Sequence, residues 1–267
     1  MSTETWAVAA PQTITVDGVS AVSVRVQAGR VDVVVDPETT RTTLDVTEIS
    51  EKPLQVTRDR DRLRIGYEAS KMDAFVARVK NLGSSSERAV LRLTVPPGTA
   101  VDVGTVEGDA DVTGTTGTVV KTVTGTVRTA GTSGSLYLKS VSGDVAATAH
   151  SGDVSAQVVS GALAVDGAIG RVSAHSVSGA LAVTAVGTTP MVTVKTVSGD
   201  VTVRLDEGTP VSLKVRGAAG QAILDGTVLP STGRVLAVDH ADTPVAGRSV
   251  AYLTAAVTSS RVVVTRG

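Results

Sequence analysis

A chain of 267 residues with 25 basic and 26 acidic side chains carries a formal net charge of −1, which offers no field for holding a phosphate backbone and argues against nucleic-acid binding. Aromatic residues make up 2% of the chain, too few to fill a wide globular core, and the absence of cysteine excludes disulfides and thiolate metal sites. No stretch approaches the ~20 apolar residues of a membrane helix. The first residues, Met1 to Pro11, have an early Glu4 and no basic n-region, so no secretory signal is expected and the reading is cytoplasmic.

In chain order, residues 1–12 read as an N-terminal extension. Residues 13–100 read as irregular strands, among them Val22 to Val26, Val31 to Val35, Leu63 to Tyr67 and Ala89 to Val95, separated by turn signals such as Asp17-Gly18, Asp36-Pro37 and Pro96-Pro97-Gly98. Within them Met72, Phe75, Val76, Val79 and Leu82 fall at helical spacing and predict a short helix near 70–82. It is expected to be a lid over the edge of the first coils; the alternative is a membrane-surface or partner-binding helix with Lys71, Arg78 and Lys80 as its basic side.

A regular pattern occupies 101–205. Gly125, Gly134, Gly143, Gly152, Gly161, Gly170 and Gly179 stand nine residues apart, and every second one closes a Val-Ser/Thr-Gly phrase, repeated at Gly199 after two extra residues. The period is therefore eighteen, the signature of a repeat architecture. After each glycine apolar and polar residues alternate, as in Leu136-Tyr137-Leu138-Lys139, which predicts strands with one buried face. The expected fold is all-β: a β-solenoid, right-handed by strand chirality, whose 18-residue coils comprise two nonapeptide half-turns. Gly125, Gly143, Gly161, Gly179 and Gly199 are expected at corners, where positive φ or close backbone approach excludes a Cβ. Val127, Leu136, Leu138, Val145, Val154 and their equivalents point inward. Val123, Val141, Val159, Val177 and Val197 are expected to be buried as one column in register, with Thr124, Ser142, Ser160, Ser178 and Ser198 as a hydroxyl column beside them. Residues 206–267 continue as strands and end in a cap.

The phrases Val16-Asp17-Gly18-Val19-Ser20-Ala21-Val22-Ser23-Val24, Gln27-Ala28-Gly29-Arg30-Val31-Asp32-Val33 and Leu91-Arg92-Leu93-Thr94-Val95-Pro96-Pro97-Gly98-Thr99, with the recurring Ser-Gly-Asp-Val, resemble a bacterial family over residues 13–205. It is the family of β-solenoid proteins called putative adhesins or toastrack proteins. The resemblance implies the solenoid and supplies no catalytic residues. Some members are secreted or tied to envelope-stress systems.

Asp144, Asp153 and Asp200 follow their glycines directly, but the Gly-Gly-x-Gly-x-Asp set of calcium-binding nonapeptides is missing. Such aspartates are expected to bond turn amides. His150, His175 and His240 lie at different phases of the repeat, so no metal cluster is expected, and no cofactor. Asp109 and Asp144 approach the upper limit of glycosidase carboxylate spacing, a weak basis for catalysis. The remaining feature precedes the glycine phrase by two residues: Lys121, Lys139, Gln157, His175 and Lys195, an outward column suited to an acidic polymer or acidic protein. The alternative is that these lysines discourage aggregation. The function expected is a non-catalytic scaffold or adhesin-like interaction module that self-associates through coil ends or faces. The alternatives are a ligand-sensing domain linked to envelope stress and a carbohydrate-active enzyme.

Overall fold

The computed structural model describes residues 3–67, 87–231, 235–243 and 245–267, and every regular element among them is a β-strand. The helix expected near 70–82 lies outside the described residues. Contacts divide the chain into two units, Met1–Val127 and Arg128–Gly267, a boundary inside the regular stretch 101–205.

In the first unit the long strand Ala21–Val35 is internal to its sheet. Ala100–Thr113 pairs with one edge of it in parallel, Ala21 opposite Ala100 and Val33 opposite Val112. Arg62–Gly66 and Arg88–Val95 pair with the other edge, also in parallel. Antiparallel strands then close the unit: Arg41–Ile49 on Arg88–Val95, Leu54–Asp59 on Arg62–Gly66, and the N-terminal Gln12–Asp17 and Thr3–Val8 outside them. The alternation of the sequence decides which side is buried, because successive side chains of a strand point to opposite faces. Val22, Val24, Val31 and Val33 are buried against Leu91, Leu93, Val101 and Val103. Gly29 bends the long strand at φ 116°, and a Cβ there would lie 1.9 Å from the carbonyl oxygen of Ala89.

In the second unit parallel strands stack at the offset of eighteen read from the sequence. Ser133 lies opposite Ser151, Leu136 opposite Val154, and Leu163 opposite Leu181. The offset grows to twenty at Arg171/Met191 and Leu181/Val201, where the two extra residues enter. All the inward positions named for this stretch are buried, from Val127 and Leu136 through Val183. Each Val or Leu so buried contributes roughly 1.5–3 kcal/mol, so the narrow interior is held without aromatic rings.

The valine column differs from expectation at four of its five members; Val123, on Thr116–Thr124 of the first unit, is buried as expected. Val141, Val159, Val177 and Val197 share one position of successive rows, since Ser140/Val158/Ser176/Thr196 and Ser142/Ser160/Ser178/Ser198 are in register on either side. That position faces outward, leaving the four valines 39–49% exposed. The reason is the alternation itself: Leu138 points inward, so Ser140 does too, and Val141 must point out. What occupies the interior before the corner is a small, mostly hydroxyl side chain, and in two of the four rows its oxygen bonds the turn, while Ser176 Oγ is buried without a partner among the described residues. Ser140 Oγ donates to the carbonyl of Gly143 at 3.3 Å, and Thr196 Oγ1 donates to that of Ser198 at 3.2 Å.

The chain's end is a second departure. The C-terminal strand Ala251–Arg266 is not a cap but an internal member, parallel to Met191–Ser198 and Val201–Leu205 on one edge and to Val211–Leu224 on the other. Capping falls to Leu236–Ala241 and Thr227–Val228, which run antiparallel on Val211–Leu224. An antiparallel partner ends the stack of parallel rows with a short edge.

Candidate functional site

The corner glycines define the frame. Gly143, Gly161, Gly179 and Gly199 have φ between 123° and 129°, and each of the last three sits directly on the one before. A Cβ on Gly179 would stand 1.9 Å from the carbonyl oxygen of Gly161, and one on Gly199 2.0 Å from that of Gly179. Gly125, in the first unit, has φ 132° and lies on Gly108 in the same way. Both the dihedral and the close approach demand glycine, and the result is that strands leave each corner in register.

Upstream of these corners the outward residues form straight columns. Lys139 lies opposite Gln157, Gln157 opposite His175, and His175 opposite Lys195. All four are exposed, and the next row places Ala256 after Lys195. Lys121, the fifth member expected, is half-buried on Thr116–Thr124 of the first unit. Among the described residues neither Lys139 nor Lys195 forms an ion pair. The exposed valines occupy the next outward position along the same strands, two residues further on. Sequence reasoning missed them because it read Val-Ser-Gly as one unit; continuing the period-2 count from Leu138 identifies them.

Three aspartates that follow a glycine bond backbone amides. Asp144 Oδ1 accepts the amide of Ala162 at 2.9 Å, Asp200 Oδ1 that of Arg261 at 3.2 Å, and Asp109 Oδ1 that of Thr126 at 2.7 Å. These three carboxylates tie their corners to the following row, as expected for Asp144 and Asp200, whereas Asp153 makes no such bond among the described residues. Among the described residues no group of three His, Asp or Glu side chains could hold a metal ion, and no helix is long and apolar enough to cross a membrane, which says nothing of β-barrels.

Two further polar sites are structural. A shallow cleft of about 370 Å³ is lined by Thr188, Thr189, Asp206, Thr209, Arg248 and Ser249. Asp206 accepts the Gly187 amide there at 2.6 Å, while Arg248 donates to the carbonyl of Gly208 at 2.6 Å. Nearby in sequence, the Arg266 guanidinium joins Asp225 to Asp242, whose other oxygen is 3.0 Å from His240 Nε2. Burial alone would raise the Asp242 carboxyl; the Val211 amide, His240 and Arg266 outweigh it and hold the group below the usual carboxylate range. His150 is buried, its Nδ1 2.9 Å from Thr132 Oγ1, and burial holds its imidazole below the ordinary range.

In the first unit several outward charges are paired, as Arg216 is with Asp239 in the second. Arg25 pairs with Asp102, Arg30 with both Asp32 at 2.7 Å and Asp111 at 2.6 Å, Arg41 with Asp17 at 2.8 Å, and Lys52 with Glu87 at 2.8 Å. The hydrogen bond from Arg30 to Asp32 and the charges of Asp32 and Asp111 raise the arginine further above its already high range.

The fold and its stacked corners define an all-β protein of parallel, repeat-derived rows. The chain belongs to the family described as Toastrack DUF4097, whose profile matches residues 19–225. Among solved structures it is similar to a "putative adhesin" from Bacteroides fragilis, with 12% identity and a TM-score of 0.50 over 96% of this chain and 98% of that one. It also matches a "putative cell adhesion protein" from Clostridium sporogenes, with 10% identity and a TM-score of 0.32 over 97% of this chain and 100% of that one. No functionally curated protein matches the chain in sequence.

Proposed function

We propose that the protein is a non-catalytic β-solenoid interaction module, and that the outward face of its second unit receives an acidic partner. In this reading the 18-residue coils, right-handed and turned at stacked glycines, serve to hold side chains in straight columns. The observation that carries it is the register of Lys139, Gln157, His175 and Lys195, exposed in four successive rows with no ion pair to either lysine among the described residues. Cations held in line by a rigid sheet favour an extended or elongated anion. A scaffold role is also supported by the use of Asp109, Asp144 and Asp200, whose oxygens bond backbone amides instead of converging on a cleft.

The test uses poly-L-glutamate as a charge-only probe for the full chain. Binding is expected at low salt and should weaken as ionic strength rises, because exposed charges are screened over ~10 Å at 0.1 M salt. The double variant Lys139→Ser, Lys195→Ser should bind at least tenfold more weakly while keeping its strand circular dichroism. Equal binding by both proteins would reduce the column to a solubility device.

A further inference from the structure

Beside the cationic column, four valines that the sequence marked for the core stand in the open. Val141, Val159, Val177 and Val197 are 39%, 45%, 49% and 49% exposed, and no described residue covers them. Their alignment turns four ordinary surface valines into a continuous apolar stripe perpendicular to the strands. Rows of a sheet are ~4.8 Å apart, so the stripe spans about 14 Å in three steps. Parallel to it, two residues or ~6.8 Å along the strands, runs the Lys139/Gln157/His175/Lys195 column. On the other side lie Ser142, Ser160, Ser178 and Ser198, small and exposed, before the chain turns at glycine.

From this juxtaposition we infer that the second unit docks an amphipathic α-helix of a partner protein, laid along the valine stripe with acidic residues on the flank that meets Lys139 and Lys195. The inference rests on the reading of this face as an interaction surface and names what that surface takes. Spacing selects the helix. One helical turn rises 5.4 Å, so apolar residues at i, i+3/i+4, i+7 and i+11 follow the ~4.8 Å rows with a drift of only about 2 Å over three steps. An extended strand laid the same way repeats its face every ~6.8 Å and drifts by about 6 Å over the same three steps. Width agrees as well. A helix with its side chains is ~10–12 Å across, so its flank lies ~5–6 Å from the stripe, close to the cationic column. The serines opposite admit the other flank without bulk.

Charge fixes the sign of the partner. The chain's own apolar-patterned stretch between Met72 and Leu82 carries Arg78 and Lys80, with Lys71 preceding it, against one Asp73. It has the wrong sign for the lysine column, which points to a separate acidic protein. An amphipathic helix docked by its apolar face is a recurring mode of recognition, read through its i/i+3/i+4/i+7 anchors.

The test uses the full chain and three synthetic 18-residue peptides: one with leucine at i, i+3/i+4 and i+7 and glutamate along one flank, a twin with lysine for each glutamate, and a scramble of the first. The glutamate-flanked peptide should bind at least tenfold more tightly than either control and gain helical circular dichroism on binding. Val159→Thr with Val177→Thr should weaken it at least tenfold. Threonine keeps the β-branched shape and already stands in this position of the adjoining row as Thr258, so the fold is preserved. Lys139→Glu with Lys195→Glu should transfer the preference to the lysine-flanked twin. Binding of the scramble as tight as the parent, no effect of the valine pair, or no transfer on charge reversal would each overturn the helix inference. If poly-L-glutamate still binds through the lysines in that event, the acidic-partner reading survives; if neither probe binds, both fall.

Discussion

The two units use the same strand grammar but differ in the outward residues of their parallel rows. In each, a long strand is internal, Ala21–Val35 in one and Ala251–Arg266 in the other, and short antiparallel strands close an end. In the first unit, however, several arginines lie within 2.8 Å of a carboxylate, as Arg30 does with Asp32 and Asp111. In the second, Arg216 pairs with Asp239 and Arg266 with Asp225 and Asp242, while among the described residues Lys139 and Lys195 form no ion pair beside the exposed valines. Cross-strand ion pairs therefore occur in both units, and among the described residues the rows that carry Lys139 and Lys195 give these two lysines none, which is why the proposed partner is placed on that face. Register alone does not make a binding surface; unspent charge and uncovered apolar area do.

The largest effect tests what the units share. Gly179→Ala in the second and Gly29→Ala in the first each force a Cβ to 1.9 Å from a backbone oxygen at positive φ. Each should cost more than about 4 kcal/mol, the range reserved for diagnostic lesions, and thermal melts should show loss of cooperative unfolding. Gly117, at φ 70° with open space around its missing Cβ, calibrates the dihedral alone: its alanine variant should lose only about 1–2 kcal/mol.

Next in size is the anchor of the internal C-terminal strand. Arg266→Ala removes the guanidinium that joins Asp225 to Asp242 and should cost about 1–3 kcal/mol, as for charge-assisted hydrogen bonds. The folded Asp242 carboxyl lies below its unfolded range, so its contribution is present above pH ~4 and lost as pH falls through the folded value. Denaturant midpoints measured from pH 7 to pH 3 should show the variant's acid limb flattened.

His150 gives the second unit an acid sensitivity of its own. Its folded imidazole is held below the unfolded value near 6.5, chiefly by burial. The unfolded chain therefore binds the extra proton first, and the stability due to neutral His150 is present above pH ~6.5 and lost as pH falls through the folded value. His150→Thr, which copies Thr132 of the preceding row, should remove that part of the decline between pH 7 and 5. An unchanged profile would show that His150 does not titrate in this range.

Smallest is the loss of one exposed pair in the first unit. Asp111→Asn leaves Arg30 its bond to Asp32 and should change stability by no more than about 1 kcal/mol, less at high salt.

How far the sequence carried this account depends on the range of the physics involved. Alternation is local, so the burial of Leu136, Leu138, Val154 and Val172 was legible, as was the need for glycine at Gly161 and Gly179. The valine stripe was equally local, but the phrase Val-Ser-Gly drew attention to the glycine and away from the phase of Leu138 and Ser140. The insertion of Ala251–Arg266 between rows some fifty residues earlier was not legible, because parallel pairing at that separation leaves no mark in a short window. The lysine column was readable as far as its register. Its isolation from carboxylates was not, since it depends on which acids the corners consume.

The most direct test of the contrast between the two faces removes the same charge from each. Lys139→Ser with Lys195→Ser in the second unit and Arg25→Ser with Arg30→Ser in the first are compared for binding of the glutamate-flanked peptide at one ionic strength. The account predicts a loss of at least tenfold for the lysine pair and a change within twofold for the arginine pair. Equal losses in the two variants would contradict it, because binding would then follow net charge and not the open face.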